Sequence, residues 1–229
     1  VTSEPYLHSS EPLKPFIGKC VVVPLGLDPL HLAPLPTEGS PGVDAALRIL
    51  AVGRLTYYKG FEVLIKAAAL CQDIDVHLVG DGDQRPNLEA QVRHLGVQDR
   101  VHFHGSLPSW ALAAQFAACD CLCLPSIERS EAFGLVLLEA MYYGKATLAS
   151  RLSGSGMSWV VKDGVTGVQF QPQSAQDLAI AIRQLQSSSE LCKNMGARGK
   201  ERFQGLFHID HSAKKVAQVY DEVIKSSAV

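Results

Sequence analysis

The chain has 229 residues, 47% hydrophobic and 19% charged, with a formal net charge of −2. Such a length suits one α/β domain or slightly more, and the apolar content marks a globular chain. The near-neutral balance gives no electrostatic reason to expect nucleic acid, and no apolar run approaches the roughly 20 residues that span a bilayer.

Residues 1–19 are rich in Pro, Ser and Glu. The opening Val1-Thr-Ser-Glu-Pro5 is polar and lacks the charged and apolar regions of a signal peptide. The chain starts without Met, which reads as a fragment of a longer protein. Cys20 to Pro24 reads as a short strand. Residues 29–44 hold Pro29, Pro34, Pro36 and Pro41, a linker composition. From Ala45 the texture changes. Leu47 to Val52 is a near-continuous apolar run, as expected of a strand buried on both faces. Phe61 to Cys71 has helical periodicity. A strand at Asp75 to Val79, a helix at Pro86 to Leu95 stopped by Gly96, and a strand at Val101 to His104 follow. Ser109 to Ala118 is helical, and Cys119 to Pro125 reads as a buried strand. Phe133, Leu137, Leu138 and Met141 recur near helical spacing. Strands at Ala146 to Ser150 and Gly167 to Phe170 come next, and helices at Asp177 to Leu185 and His208 to Ile224 close the chain. This alternation predicts an α/β fold with a doubly wound, parallel, Rossmann-like sheet.

Six cysteines are present. Cys119, Cys121 and Cys123 alternate, so on a strand all three point to one face. Metal sites want closer pairs on turns with His or further Cys nearby. The thiols therefore read as reduced, buried hydrophobes of a cytosolic protein. His77 and His104 lie within strands and read as core or surface residues.

Open α/β sheets bind ligands at the carboxyl ends of their strands. After the first core strand comes Gly53-Arg54, then Lys59-Gly60. A forked cation and a point cation there suit a pyrophosphate, although the pair also reads as two solvated surface charges. Gly80-Asp81-Gly82 and Gly105-Ser106-Leu107 end the next two strands and allow close backbone approach. Glu131 to Ala140 brackets an apolar run with two carboxylates. Glu131 precedes a helix start, whose free N–H groups and dipole suit a phosphate. Glu139 is expected about two turns in, roughly 12 Å along the axis. Read blandly, this is an amphipathic helix with a solvated glutamate at each end. Read functionally, it fits a ligand with hydroxyls at both ends and phosphates between, such as a sugar nucleotide. Leu152 to Met157 reads as a flexible Gly/Ser loop opening a second phosphate-friendly helix start. Neither the dinucleotide glycine fingerprint nor the P-loop is present, and no Ser-His-Asp constellation can be assembled.

Together these pieces resemble the C-terminal donor-binding domain of the group 1 (retaining, GT-B fold) glycosyltransferases. The matching residues are Val23-Pro24-Leu25-Gly26-Leu27-Asp28, Gly53-Arg54 with Lys59-Gly60, Val79 to Gly82, Phe103 to Gly105, Leu124 to Ser126, Glu131 to Ala140 and Asp163 to Gly167. Their order and spacing hold from about residue 20 to 186. The resemblance implies that Arg54 and Lys59 bind the donor diphosphate and that Glu131 holds hydroxyls of the transferred sugar. Arg54, Lys59 and Glu131 are thus the expected catalytic residues. Glu139 would hold the ribose, and Gly105, Ser106 and Leu107 would lie against the base. Gly53, Gly82, Ala132, Phe133, Gly134 and Leu135 complete the expected donor-binding set. No metal or cofactor is implied, and no metal-ligand cluster stands out in the sequence.

Two departures stand out. Leu25 replaces the usual asparagine of its turn. Gly154 to Trp159 replaces a loop that often carries a glutamate after a proline, which resembles a subset acting on bacterial surface polysaccharides. The resemblance implies that residues 1–28 end an acceptor domain and hinge, that 29–44 link, that 45–206 form the nucleotide-sugar domain and that 207–229 form a terminal helix. The expected partners are a nucleotide-sugar donor and, through a missing N-terminal half, a glycan or lipid acceptor. The expected location is the cytoplasm or the inner face of a membrane. Alternatives are a non-catalytic nucleotide-sugar-binding module, or an epimerase or phosphorylase on the same architecture.

Overall fold

The computed structural model describes residues 1–36 and 46–227. The rest of the expected linker, from residue 37, and the boundary at Ala45 lie outside the described residues.

The elements in chain order are α1 (Glu4–Ser9), β1 (Leu47–Val52), α2 (Phe61–Ala69), β2 (Ile74–Val79), α3 (Arg85–Leu95), β3 (Val101–Gly105) and α4 (Ser109–Ala118). There follow β4 (Cys121–Leu124), α5 (Leu135–Tyr142), β5 (Ala146–Ser150), α6 (Met157–Val160), β6 (Gly167–Phe170), α7 (Ala175–Gln186), α8 (Ser189–Arg202) and α9 (Ile209–Ser227). The six strands form one sheet in the order β3-β2-β1-β4-β5-β6, and every pairing is parallel. This is the doubly wound Rossmann order, with its reversal between β1 and β4.

Parallel strands need both faces covered, and the apolar residues divide accordingly. Ile49, Ala51, Val76, Leu78, Cys121 and Cys123 join Phe61, Leu64, Leu88 and Ile182 in one buried cluster. Leu50, Leu122, Leu124 and Ala149 join Phe116, Leu137, Met141, Met157 and Phe207 in the other.

Four sequence expectations need correction. Cys20 to Pro24 is not a strand. It runs extended beside Val1, with the terminal ammonium donating to the Val21 carbonyl and Val23 N–H to the Val1 carbonyl. Cys119 lies outside β4, as the residue that ends α4, and packs in the second cluster, so only Cys121 and Cys123 share a face. Phe133 precedes α5 instead of lying on it, because Gly134 takes a left-handed φ of 79° and starts the helix after itself. Finally, α8 was not foreseen. It carries Gly196 and Gly199, which weaken helix propensity, but a Cβ at Gly196 would stand 2.0 Å from the Gly144 carbonyl oxygen. Glycine is kept there because the helix crosses the α5–β5 turn at backbone contact.

Candidate functional site

Parallel pairing brings the loops after β1, β2, β3, β4 and β5 to one edge of the sheet. Bare backbone contacts hold them together. Gly53 N–H donates to the Val79 carbonyl and Gly80 N–H to the Gly105 carbonyl. A Cβ on Gly80 would stand 1.9 Å from the Gly53 carbonyl oxygen, so only glycine allows these loops to meet. A Cβ on Gly82 would stand 2.4 Å from the Leu55 carbonyl oxygen, and Gln84 N–H donates to that same oxygen at 2.9 Å.

The β1–α2 loop reaches across the reversal point to the loop after β4. Gly60, at φ 65°, lets the backbone approach Pro125, whose carbonyl oxygen would be 2.2 Å from a Cβ there. Ile127 N–H donates to the Tyr58 carbonyl at 2.8 Å. This seam delivers Lys59 to Glu131. Lys59 Nζ stands 2.6 Å from Glu131 Oε2, with side chains only 13% and 11% exposed. Ser126 Oγ donates to the same carboxylate oxygen at 3.1 Å, and Ser150 Oγ donates to the Ser126 carbonyl behind it. A nearly dry ion pair of this kind is held by surrounding hydrogen bonds as much as by its charges.

The Gly/Ser loop after β5 differs from expectation. Gly154, Ser155 and Gly156 are buried. Ser155 Oγ donates to the Glu131 carbonyl and accepts from Met157 N–H, while Gly156 N–H donates to the Ala132 carbonyl at 2.7 Å. The loop's polar groups are spent on fixing the Glu131 segment, and α6 beyond it has four residues. It is therefore a buttress and not an open, flexible phosphate site. Arg129 clamps the far side, donating to the carbonyls of Gly154, Ser9 and Tyr6 and lying 4.6 Å over the Tyr6 ring.

The other expected site residues are placed as follows. Arg54 is exposed at the mouth of the crevice, and its guanidinium has no partner among the described residues. Gly105, at φ 66°, ends β3, with Ser106 exposed and Leu107 packed on the second core cluster. Phe133 is turned inward against Trp159 and Phe207. Leu135 opens α5 and is 47% exposed, and no side chain caps the N-terminus of that helix. Glu139 lies little more than one turn into α5, not two, because the helix begins at Leu135. Its carboxyl makes no hydrogen bond or ion pair among the described residues, and desolvation by burial pushes its pKa up to about 7. A groove of about 510 Å³ along β6 and α7 holds none of the expected site residues.

Residues 43–202 match the family described as glycosyl transferases, group 1. The chain belongs to the group 1 glycosyltransferases. Among curated relatives, the O-antigen chain mannosyltransferase C of Escherichia coli is 32% identical, over 100% of this chain and 62% of its own length. Among solved structures, a sucrose-phosphate synthase from Thermosynechococcus elongatus superposes with a TM-score of 0.82 at 28% identity, covering 99% of this chain and 58% of that one. Anabaena HepE, solved in complex with UDP and glucose, superposes with a TM-score of 0.76 at 25% identity, covering 88% of this chain and 56% of that one. This group 1 chain therefore spans 56–62% of the length of these three proteins.

Sequence reasoning missed two features. Ser155 is found through its contact with the Glu131 carbonyl, which no motif announces. Asp75, His77 and His102 bring one donor atom each within 4.8 Å of one another on neighbouring strands, with His104 2.8 Å from His77. Two Asp/His-x-His patterns on consecutive strands were the available signal.

Proposed function

We propose that this chain is the donor-binding half of a retaining glycosyltransferase, moving a sugar from a nucleotide-diphosphate donor to an acceptor hydroxyl in glycan or cell-surface polysaccharide synthesis. The carrying observation is the Lys59–Glu131 pair at the crevice between β1 and β4, where this sheet type binds ligands. In this reading Arg54 and Lys59 face the diphosphate. The leaving diphosphate gains negative charge in the transition state, and prepositioned cations stabilise it. Donor entry divides the present pair, with Lys59 turning to phosphate and Glu131 to sugar hydroxyls. The uncapped start of α5 supplies N–H groups beside them. Glu139 meets the ribose, Gly105, Ser106 and Leu107 the base, and neither metal nor cofactor takes part in transfer. The UDP and glucose in Anabaena HepE and the O-antigen role named for the Escherichia coli relative support this reading. The acceptor, a glycan or lipid, is expected to engage a second domain, so the chain alone binds donor and transfers nothing.

Calorimetric titration with UDP, GDP, ADP and their common sugar conjugates tests this. One sugar nucleotide is expected to bind tightly and to lose affinity in Arg54→Ala. A donor that binds Arg54→Ala as well as the parent overturns the site assignment.

A further inference from the structure

Away from the crevice, β2 and β3 carry a polar stripe. Ile74, Val76, Leu78 and Val101 face one core cluster, so Asp75, His77, His102 and His104 occupy the opposite face of the same two strands. His77 and His102 are direct register partners. Asp75 bridges the two rings, with Oδ2 2.9 Å from His77 Nε2 and Oδ1 2.6 Å from His102 Nε2. Behind them His77 Nδ1 lies 2.8 Å from His104 Nε2, and those two rings stack. The three front donor atoms all lie within 4.8 Å of one another.

We propose that Asp75, His77 and His102 form a binding site for a divalent transition-metal ion of the Zn²⁺ type, with His104 supporting His77 from behind. Two imidazole nitrogens and one carboxylate oxygen are the borderline donors that zinc takes at roughly 2.0–2.2 Å, leaving a fourth position for water. Mg²⁺ and Ca²⁺ prefer all-oxygen sites and fit this set poorly. Ligands around a tetrahedral centre of that radius stand roughly 3.3–3.5 Å apart, so the two gaps to Asp75, at 2.9 and 2.6 Å, need only a small opening. Asp75 and His102 have the freedom for it, at 33% and 39% side-chain exposure, whereas His77 is fixed at 6%. That gradient gives the ion a path in from solvent and a rigid inner ligand.

The proton balance also works. Without the ion, His77 and His102 donate from Nε2 to the Asp75 carboxylate. With it, both Nε2 lone pairs go to the metal and both rings carry their proton on Nδ1. His77 Nδ1–H then donates to His104 Nε2, the outer contact that orients a ligating histidine. Arg48 is the cation facing this stripe, opposite Asp75 in register, and the Asp75 carboxylate offsets its charge toward an incoming ion. The site lies on strand faces and not in the carboxyl-end loops, so the ion would fasten edge strand β3 to β2 without touching the proposed donor.

Titrating the tag-free, chelator-treated chain with Zn²⁺ by calorimetry at pH 7.5, alongside Co²⁺ absorption spectra, tests the site. One ion per chain and a tetrahedral Co²⁺ spectrum are expected. His102→Ala and Asp75→Asn should each weaken binding at least about tenfold, since even outer partners cost 10–100-fold. His8→Ala, on α1, should change nothing, and circular dichroism checks that each variant is folded. No saturable binding, or binding that both stripe variants retain, overturns the proposal.

Discussion

Two polar clusters of this chain are built in opposite ways. Lys59 and Glu131 are 72 residues apart and meet because two loops converge over the reversal of strand order. Asp75, His77, His102 and His104 meet because two neighbouring strands run in register and present them on one face. The first is nearly closed to water, while the second has Asp75 and His102 a third or more exposed. Loops place charges where a ligand can displace their partners, and strand faces place charges where only an ion can enter. The comparison teaches that burial and backbone origin, more than residue type, set what a charged cluster can do.

Charge removal should hurt the closed cluster most. Lys59→Met leaves Glu131 buried with Ser126 as its one remaining side-chain partner among the described residues and should cost about 3 kcal/mol in urea unfolding. Adding Glu131→Gln should return most of that. If the single and double variants are equally unstable, the pair is not coupled and the contrast fails. Glu139 comes next. Its folded pKa of about 7 lies above the 4.5 of an ordinary glutamate, so its folded state holds a proton that the unfolded chain releases. That contribution is fully present below about pH 4.5, declines as pH rises, and is lost above pH 7. Glu139→Gln should therefore gain roughly 2–3 kcal/mol over the parent between pH 5 and pH 8. An unchanged difference in thermal unfolding across that range would contradict the burial described here. Arg54→Ala should weaken donor binding by about 1–3 kcal/mol and leave stability alone, because its exposed side chain has no partner to lose among the described residues. Smallest is Asp75→Asn, expected to cost less than about 1 kcal/mol without metal, since its pairs are partly solvated. A larger loss in chemical denaturation would place the stripe with the closed cluster.

The sheet was legible because buried parallel strands are continuous apolar runs punctuated by glycine, as at Leu47 to Val52 with Gly53. Ala146 to Ser150 and Gly167 to Phe170 match their strands to the residue. The crevice loops were legible through the rule that ligands bind at strand carboxyl ends. What the sequence concealed depended on contacts between distant segments. Gly196 and Gly199 weaken the helical signal of α8, and the contact that requires Gly196, with Gly144, is visible only in the fold. The Gly/Ser loop looked mobile because its partners, Glu131 and Ala132, lie some two dozen residues upstream. His77 and His102 meet only through strand register, which is set by the whole sheet.

The cysteines carry a practical consequence. Cys71, Cys119, Cys121, Cys123 and Cys192 are buried, and Cys20 alone is partly open. Burial drives the thiols of Cys119 and Cys192 to pKa values of about 12 and about 11, which leaves almost no thiolate to react at neutral pH. The unmodified chain is thus ready for single-site labelling at Cys20. The five silent thiols, spread over both sides of the sheet, become reporters of its opening, each reacting only when its own layer comes apart.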